Sequence, residues 1–376
     1  MNIIIAGDFC PQDRIKVKIA NRDMRIVSPE LTSIISSADY SIINFECPIV
    51  SDLNKPIQKK GPNLKCTPES GELIKEIGFN CCTLANNHFR DYGDDGCKST
   101  TSILDSLSID YLGGGKDLRS AQKVLVREIA GKRIALVNIC EKEFSVATDN
   151  HAGSAPLDLI DNYYQIKEAR YLSDYVIVIV HGGHEHFQYP SHRMKKTYHW
   201  FADMGADVIV NHHQHCYSGY EIYNGVPIFY GLGNFCFDWS GKRNNLWTEG
   251  FLLSLKFQDS ISFDLIPYVQ CREEAAVREM SEMERKDFFS NIETINQIIA
   301  DDERLGEIIK SYYTDCISNS EIMMGNFSDN RMVRWLKRKG ILTSTVSKEK
   351  RNVLYDYIFC ESHRDKIEYW LNNCKL

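Results

Sequence analysis

The sequence predicts an α/β sandwich, and three observations carry that prediction. Short apolar runs rich in β-branched residues recur through the first two-thirds of the chain. Helical signatures lie between several of them, and two hairpin patterns interrupt the alternation, so the sheet is expected to be mixed. The first run, residues 3–6, is followed by a helix with Ser28 as N-cap, Pro29 at its first position, and Leu31, Ile34, Ile35 and Ala38 at helical spacing. Residues 41–45 form the next strand. Leu73, Ile74 and Ile77 mark a helix ending at Gly78, and residues 81–85 a strand. Residues 124–129 and 133–139 pair as a hairpin around Ala130, Gly131 and Lys132. Strands follow at 176–180, 208–210 and 226–230, with a helix carrying Met194, Tyr198, Phe201 and Met204 and ending at Gly205. A second hairpin joins 251–257 to 261–267. Past residue 270 the chain turns acidic and amphipathic, with helical segments at 273–284 and 294–313 and a basic stretch at 331–339. The expected division is therefore a domain over 1–270 and a C-terminal helical extension over 271–376.

Composition narrows the function. Apolar residues make up 43% and charged residues 25%, the mixture of an ordinary globular protein. A net charge of −7 argues against a nucleic-acid-binding body, which needs a basic face. The opening residues read as a strand, not as a signal peptide, and no apolar run approaches the roughly 18 residues of a membrane span. A cytoplasmic chain without a transmembrane segment is expected. Thirteen cysteines without a C-x-x-C pair fit a reduced compartment, most of them as small core residues.

The chemistry gathers where strands end. The run 3–6 leads to Asp8, 41–45 to Glu46, 81–85 to Asn86, Asn87 and His88, 176–180 to His181, and 208–210 to His212, His213 and His215. Carboxyl ends of parallel strands share one edge, so these residues are expected in a single crevice. Eight of the eleven histidines fall between positions 181 and 215. Imidazole, carboxylate and amide oxygen together suit a pair of divalent cations, Mn, Fe or Zn. Two such ions, on the order of 3.5–4 Å apart, share a bridging carboxylate and a bridging hydroxide that attacks phosphorus or carbonyl carbon. Glu46 is the candidate bridge.

The segments Gly7-Asp8, Asn44-Phe45-Glu46, 85–93 (Ala-Asn-Asn-His-Phe-Arg-Asp-Tyr-Gly), 181–186 (His-Gly-Gly-His-Glu-His), His212-His213-Gln214-His215 and Gly231-Leu232-Gly233-Asn234-Phe235 stand in an order that resembles the bacterial capsule-synthesis family of CapA type, from poly-γ-glutamate synthesis, related to calcineurin-like metallophosphoesterases. The resemblance covers roughly residues 1 to 270. It implies a four-layer α/β/β/α sandwich with the metal site at one sheet edge. By matching position, Asp8 and His215 would hold one metal, Asn87, His181 and His213 the other, and Glu46 would lie between them. His88 would protonate the leaving oxygen. Two departures stand out: Cys10 occupies a position where metallophosphoesterases have histidine, and Glu46 one where they have aspartate.

Other residues have weaker claims. Asn86 could serve only an Asx turn with Asn87. His212 is expected to point away from the metals in a supporting role, and His184 and His186 to line the pocket beside Glu185, which would orient a ligand or bind substrate. Asn234 could contact the site from its glycine turn. His192 and His199 are expected to be structural. No Walker loop and no G-x-S-x-G elbow occurs. The expected function is a metal-dependent hydrolase of phosphoesterase type, with amide hydrolysis as a variant, acting on a phosphorylated or polymeric substrate alongside capsule-synthesis machinery. The alternative is a non-catalytic assembly factor that keeps the fold.

Overall fold

The computed structural model describes residues 1–50, 55–324 and 348–373. Two large sheets face each other. The first holds β1 (Asn2–Phe9), β2 (Tyr40–Phe45), β3 (Cys81–Thr83) and β4 (Asp110–Leu112), all parallel, in that spatial order. The second is built on β7 (Lys132–Cys140), β9 (Tyr175–His181), β10 (Val208–His212) and β12 (Val226–Phe229), also parallel. Antiparallel strands flank both. In the second sheet β6 (Leu125–Ile129) and β11 (Tyr220–Tyr223) are the margins. In the first, β14 (Glu249–Phe257), β15 (Ile261–Gln270) and β16 (Val277–Glu279) extend the sheet beyond β1, and β13 (Asn234–Cys236) pairs with the end of β1. Two short strands, β5 (Gly114–Gly115) and β8 (Gly153–Ser154), pair apart from both.

Strand alternation divides the core. Ile3, Ile5 and Ile42 point to the inter-sheet side and share a buried cluster with Leu136, Ile177 and Ile179 of the second sheet. Their neighbours Ile4, Ala6 and Ile43 point the other way, into a cluster with residues of α1 (Asp13–Ala20), α2 (Pro29–Ser36), α3 (Pro68–Ile77) and α4 (Gly93–Ser106). Beyond the short α5 (Leu118–Ala121), α6 (Leu159–Leu172) and α7 (His192–Asp203) cover the outer face of the second sheet through Ile166, Met194 and Phe201. The fold is thus the mixed α/β sandwich in four layers, helices, sheet, sheet, helices. Both faces of each central strand are buried, which is why those strands read as unbroken apolar runs.

The local signals act as the residues suggest. Ser28 Oγ accepts from the Leu31 amide, Gly78 closes α3 at φ 105°, and Ala130 and Gly131 turn the β6–β7 hairpin at φ 48° and 75°. Two expected helices are corrected. Residues 277–279 form β16 because Val277 pairs with Gln270 and donates to the Ile26 carbonyl, so helix begins only with α8 (Glu282–Ala300), fixed by a Ser281–Glu284 capping box. The segment 294–313 is broken at Asp301, whose carboxylate caps the amides of Glu303 and Arg304 and starts α9 (Asp302–Met324). The last helices are α10 (Lys348–Phe359) and α11 (Glu361–Asn373). The basic stretch 331–339 lies outside the described residues. Among those described, no helix is long and apolar enough to cross a membrane.

Candidate metal centre

The carboxyl ends of both parallel sets meet at one edge. Asp8 leaves β1 beside Asn44 and Asn234, and its amide donates to the Gly233 carbonyl. Only glycine at position 7 allows that approach, since a Cβ there would stand 1.9 Å from the Gly233 oxygen. Glu46 follows β2 directly, its amide tied to the Phe9 carbonyl. After β3 the chain turns through Asn86, which donates to the Phe45 carbonyl and accepts from the His88 amide, and so presents Asn87 and His88. His181 ends β9. His213 and His215 follow β10 at φ 94° and 55°, left-handed conformations that non-glycine residues keep only where surrounding structure enforces them.

These side chains form two overlapping donor groups, Glu46–His181–His213 and Asp8–Glu46–His215, each with its ligand atoms within 4.8 Å of one another. Glu46 Oε1 lies 3.6 Å from His181 Nε2 and 3.7 Å from His215 Nε2. Asn87 Oδ1 and His213 Nδ1 approach His181 Nε2 to 3.1 and 3.0 Å, which adds Asn87 to the first group. All six residues are buried, Glu46 completely. Neither carboxylate oxygen of Glu46 has a hydrogen-bond partner among the described residues.

The electrostatics follow from that burial. It raises Asp8 to about 6 against hydrogen bonds from Asn44 and the His213 amide, and burial followed by the charge of Asp8 drives Glu46 well above its ordinary 4.5. Burial and then His213 hold His181 well below 6.5, and burial holds His215 down at about 3. Acids pushed up and bases pushed down both mark sites that resist charge without compensation; a divalent cation would offset the carboxylate charge in place of protons and take the lone pairs of the neutral imidazoles. The residues therefore fit a pair of metal ions.

The supporting residues sort themselves by contact. Asn234 Oδ1 takes His215 Nδ1 at 2.9 Å, which leaves Nε2 free to face Glu46. His212 is buried with Nδ1 3.5 Å from Asp8 Oδ1, so it backs the carboxylate instead of pointing clear of the centre. Cys10 belongs to neither donor group; its sulfur accepts from Gln12, and burial raises its thiol above 9.0. Glu185 and His186 are exposed at the rim, where His186 meets Trp247. His184 does not line the centre. It is buried against Tyr313 of α9, 3.0 Å from the hydroxyl, because Gly183 at φ 105° turns the chain outward. His199 stacks on Tyr223 and pairs with Glu221, away from the site.

Four contributors have no role assigned from the sequence, although Asn44 and Asp91 stand inside the segments that carry the family resemblance. Asn44 donates to Asp8 Oδ1 at 2.7 Å and reaches His181 Nδ1, from a place two residues before Glu46 on the same face of an extended chain. Asp91 Oδ2 lies 2.7 Å from His88 Nδ1, and the buried Lys59, whose Nζ is 3.1 Å from the same ring nitrogen, pairs with the other oxygen of that carboxylate, so Nδ1 is engaged and Nε2 is the ring nitrogen turned away from both. Trp247 packs its ring against His215.

The family described as "Bacterial capsule synthesis protein PGA_cap" matches residues 2–239. "Capsule biosynthesis protein CapA" of Bacillus anthracis is 30% identical over 282 residues, 71% of this chain and 67% of that protein. "PGA biosynthesis protein CapA" of Bacillus subtilis (strain 168) is 34% identical over 218 residues, 56% of this chain and 57% of that protein, so the chain spans only part of the length of these relatives. The crystal structure of 5'-nucleotidase from Candida albicans SC5314 overlays 70% of this chain and 50% of that one, at 10% identity and a TM-score of 0.39.

Proposed function

The chain belongs to the bacterial capsule synthesis protein PGA_cap family, and from that premise we propose that it is a metal-dependent hydrolase of phosphoesterase type serving capsule or poly-γ-glutamate synthesis. The observation that carries this reading is Glu46, fully buried, with both carboxylate oxygens unpartnered among the described residues and shared by two donor groups. Asp8 and His215 would hold one divalent cation with Glu46, and Asn87, His181 and His213 the other. Such a pair, Mn, Fe or Zn, supplies an activated water and neutralises charge building on the attacked group.

The remaining chemistry belongs to side chains. His88, held at Nδ1 by Asp91, keeps Nε2 available to give a proton to the leaving oxygen. Asn44 and His212 keep Asp8 in place, and Asn234 fixes the ring of His215. The substrate class that suits this arrangement is a phosphorylated or polymeric small molecule. Metal analysis of the purified protein together with a phosphoesterase screen tests the reading, and a metal-free protein inactive with added manganese, iron or zinc would overturn it. His88→Ala should lower turnover by about 10²- to 10⁴-fold while the metal content stays the same.

A second reading, an assembly factor of the capsule-synthesis machinery, draws on Cys10. Its thiol leaves the Asp8–Glu46–His215 group with three donors. Polymer production that survives His213→Ala would favour this reading.

A further inference from the structure

His213 turns Nδ1 toward His181, so its Nε2 faces away from the donor cluster. That outer nitrogen lies 3.9 Å from a carboxylate oxygen of Glu143, whose side chain is 14% exposed. Glu143 belongs to neither donor group. It sits in a loop, 141–145, that is anchored on both sides. Toward the centre, the Glu141 amide donates to the His181 carbonyl and Ser145 Oγ donates to the Asn87 carbonyl at 2.6 Å. Toward the last helices, the Glu141 carboxylate accepts from Ser362 Oγ at 2.6 Å, the Ser362 amide at 3.1 Å and Arg193 Nη2 at 2.6 Å. Arg193 in turn grips Asp365 of α11, the Lys142 amide donates to Glu361 Oε2, and Phe144 packs on Tyr355 of α10. The loop is thus slung between the metal centre and two helices that lie beyond the stretch matched by the family.

We propose that Glu143 is a positioning residue for His213, and that α10 and α11 form the backstop holding it in place. A carboxylate facing Nε2 favours the tautomer with the proton on that nitrogen and leaves the Nδ1 lone pair for a cation; it also makes the ring a stronger donor. At 3.9 Å the pair is longer than a hydrogen bond, within reach of one bridging water or a small side-chain rotation. Loop anchorage therefore decides whether the carboxylate stays in reach. Glu141, buried and paired with Arg193, is held down at about 2 against its own burial by Arg193 and Ser362, so it is charged and gripped throughout the neutral range.

The inference rests on the two-cation reading, and a calorimetric Mn²⁺ titration of the full chain separates the two. Wild type should take up two cations. Glu143→Gln should weaken one of them by about 10- to 100-fold and leave the other, at Asp8–Glu46–His215, unchanged, with an unaltered circular dichroism spectrum. Ser362→Ala, which removes one hydrogen bond from Glu141, should weaken the same cation to a lesser degree. A purely structural role for the loop would move both affinities together, or neither. Two cations bound by Glu143→Gln as tightly as by wild type would overturn the role of Glu143. An unchanged Ser362→Ala beside a weakened Glu143→Gln would overturn the backstop. Wild type that binds no cation would overturn the two-cation reading itself.

Discussion

Glu46 shows how a functional side chain can oppose the stability of the fold that holds it. Its carboxyl is raised well above 4.5 by burial and by Asp8, so in the metal-free protein folding requires it to keep a proton that the unfolded chain releases. A folded-state value above the unfolded one gives stability that is complete below pH 4.5 and lost as pH rises. Glu46→Gln removes that dependence. In chelator at neutral pH the variant should be more stable than wild type, with the gain shrinking toward acid pH. Denaturant melts at several pH values measure this, and a variant less stable than wild type in chelator would contradict it. The same change should abolish cation binding at both donor groups, a trade of function for stability. His213 and His215 carry a related cost in left-handed backbone, held by the Asp8 and Asn234 contacts.

Among the elements, α11 makes a docking contact that depends on pH. Its first residue, Glu361, accepts from the Lys142 amide, and its carboxyl is pushed up to about 7 by burial and then by Glu141. The sign is that of Glu46: the contribution is present below pH 4.5 and is lost as pH rises through about 7. Amide exchange in α11, corrected for intrinsic rates, should accelerate over that interval. Glu361→Gln should flatten the response; the same acceleration in the variant would refute the assignment. Two further anchors of this helix pair, Lys60 to Asp356 and Arg193 of α7 to Asp365, are ion pairs with segments far away in sequence, so nothing in the local pattern of residues 348–373 announces where they dock. The helix over 273–284 illustrates the reverse case, a local pattern overruled when Val277 found a partner strand.

At the scale of the whole molecule, two mixed sheets with opposed inner faces bring the ends of their parallel strands, far apart in sequence, to a single edge. Cations that bind only the folded chain should therefore stabilise the entire sandwich. With free metal at 100 times its dissociation constant the gain is about 2.7 kcal/mol per site. Thermal melts should shift upward by several degrees with Mn²⁺ and fall back with chelator, whereas His213→Ala should lose most of the shift. An identical shift in that variant would place the stabilising cation elsewhere.

Much of this was legible in the sequence. Apolar runs, caps and glycine stops fixed most strands and several helices, because buried strands and helix ends impose strict local chemistry. The same logic placed Asp8, Glu46, Asn87, His181, His213 and His215 at strand ends, and the structure brings those six together. What only the tertiary structure decided is which groups serve them. Asn44, Lys59 and Glu143 are ordinary residues until packing sets them against a histidine or carboxylate, and His184, central to its own motif, is carried off to Tyr313 by one glycine turn. Local chemistry is written in neighbours along the chain, while the contacts that orient a ligand span tens to hundreds of residues and exist only once the two sheets have closed on their common core.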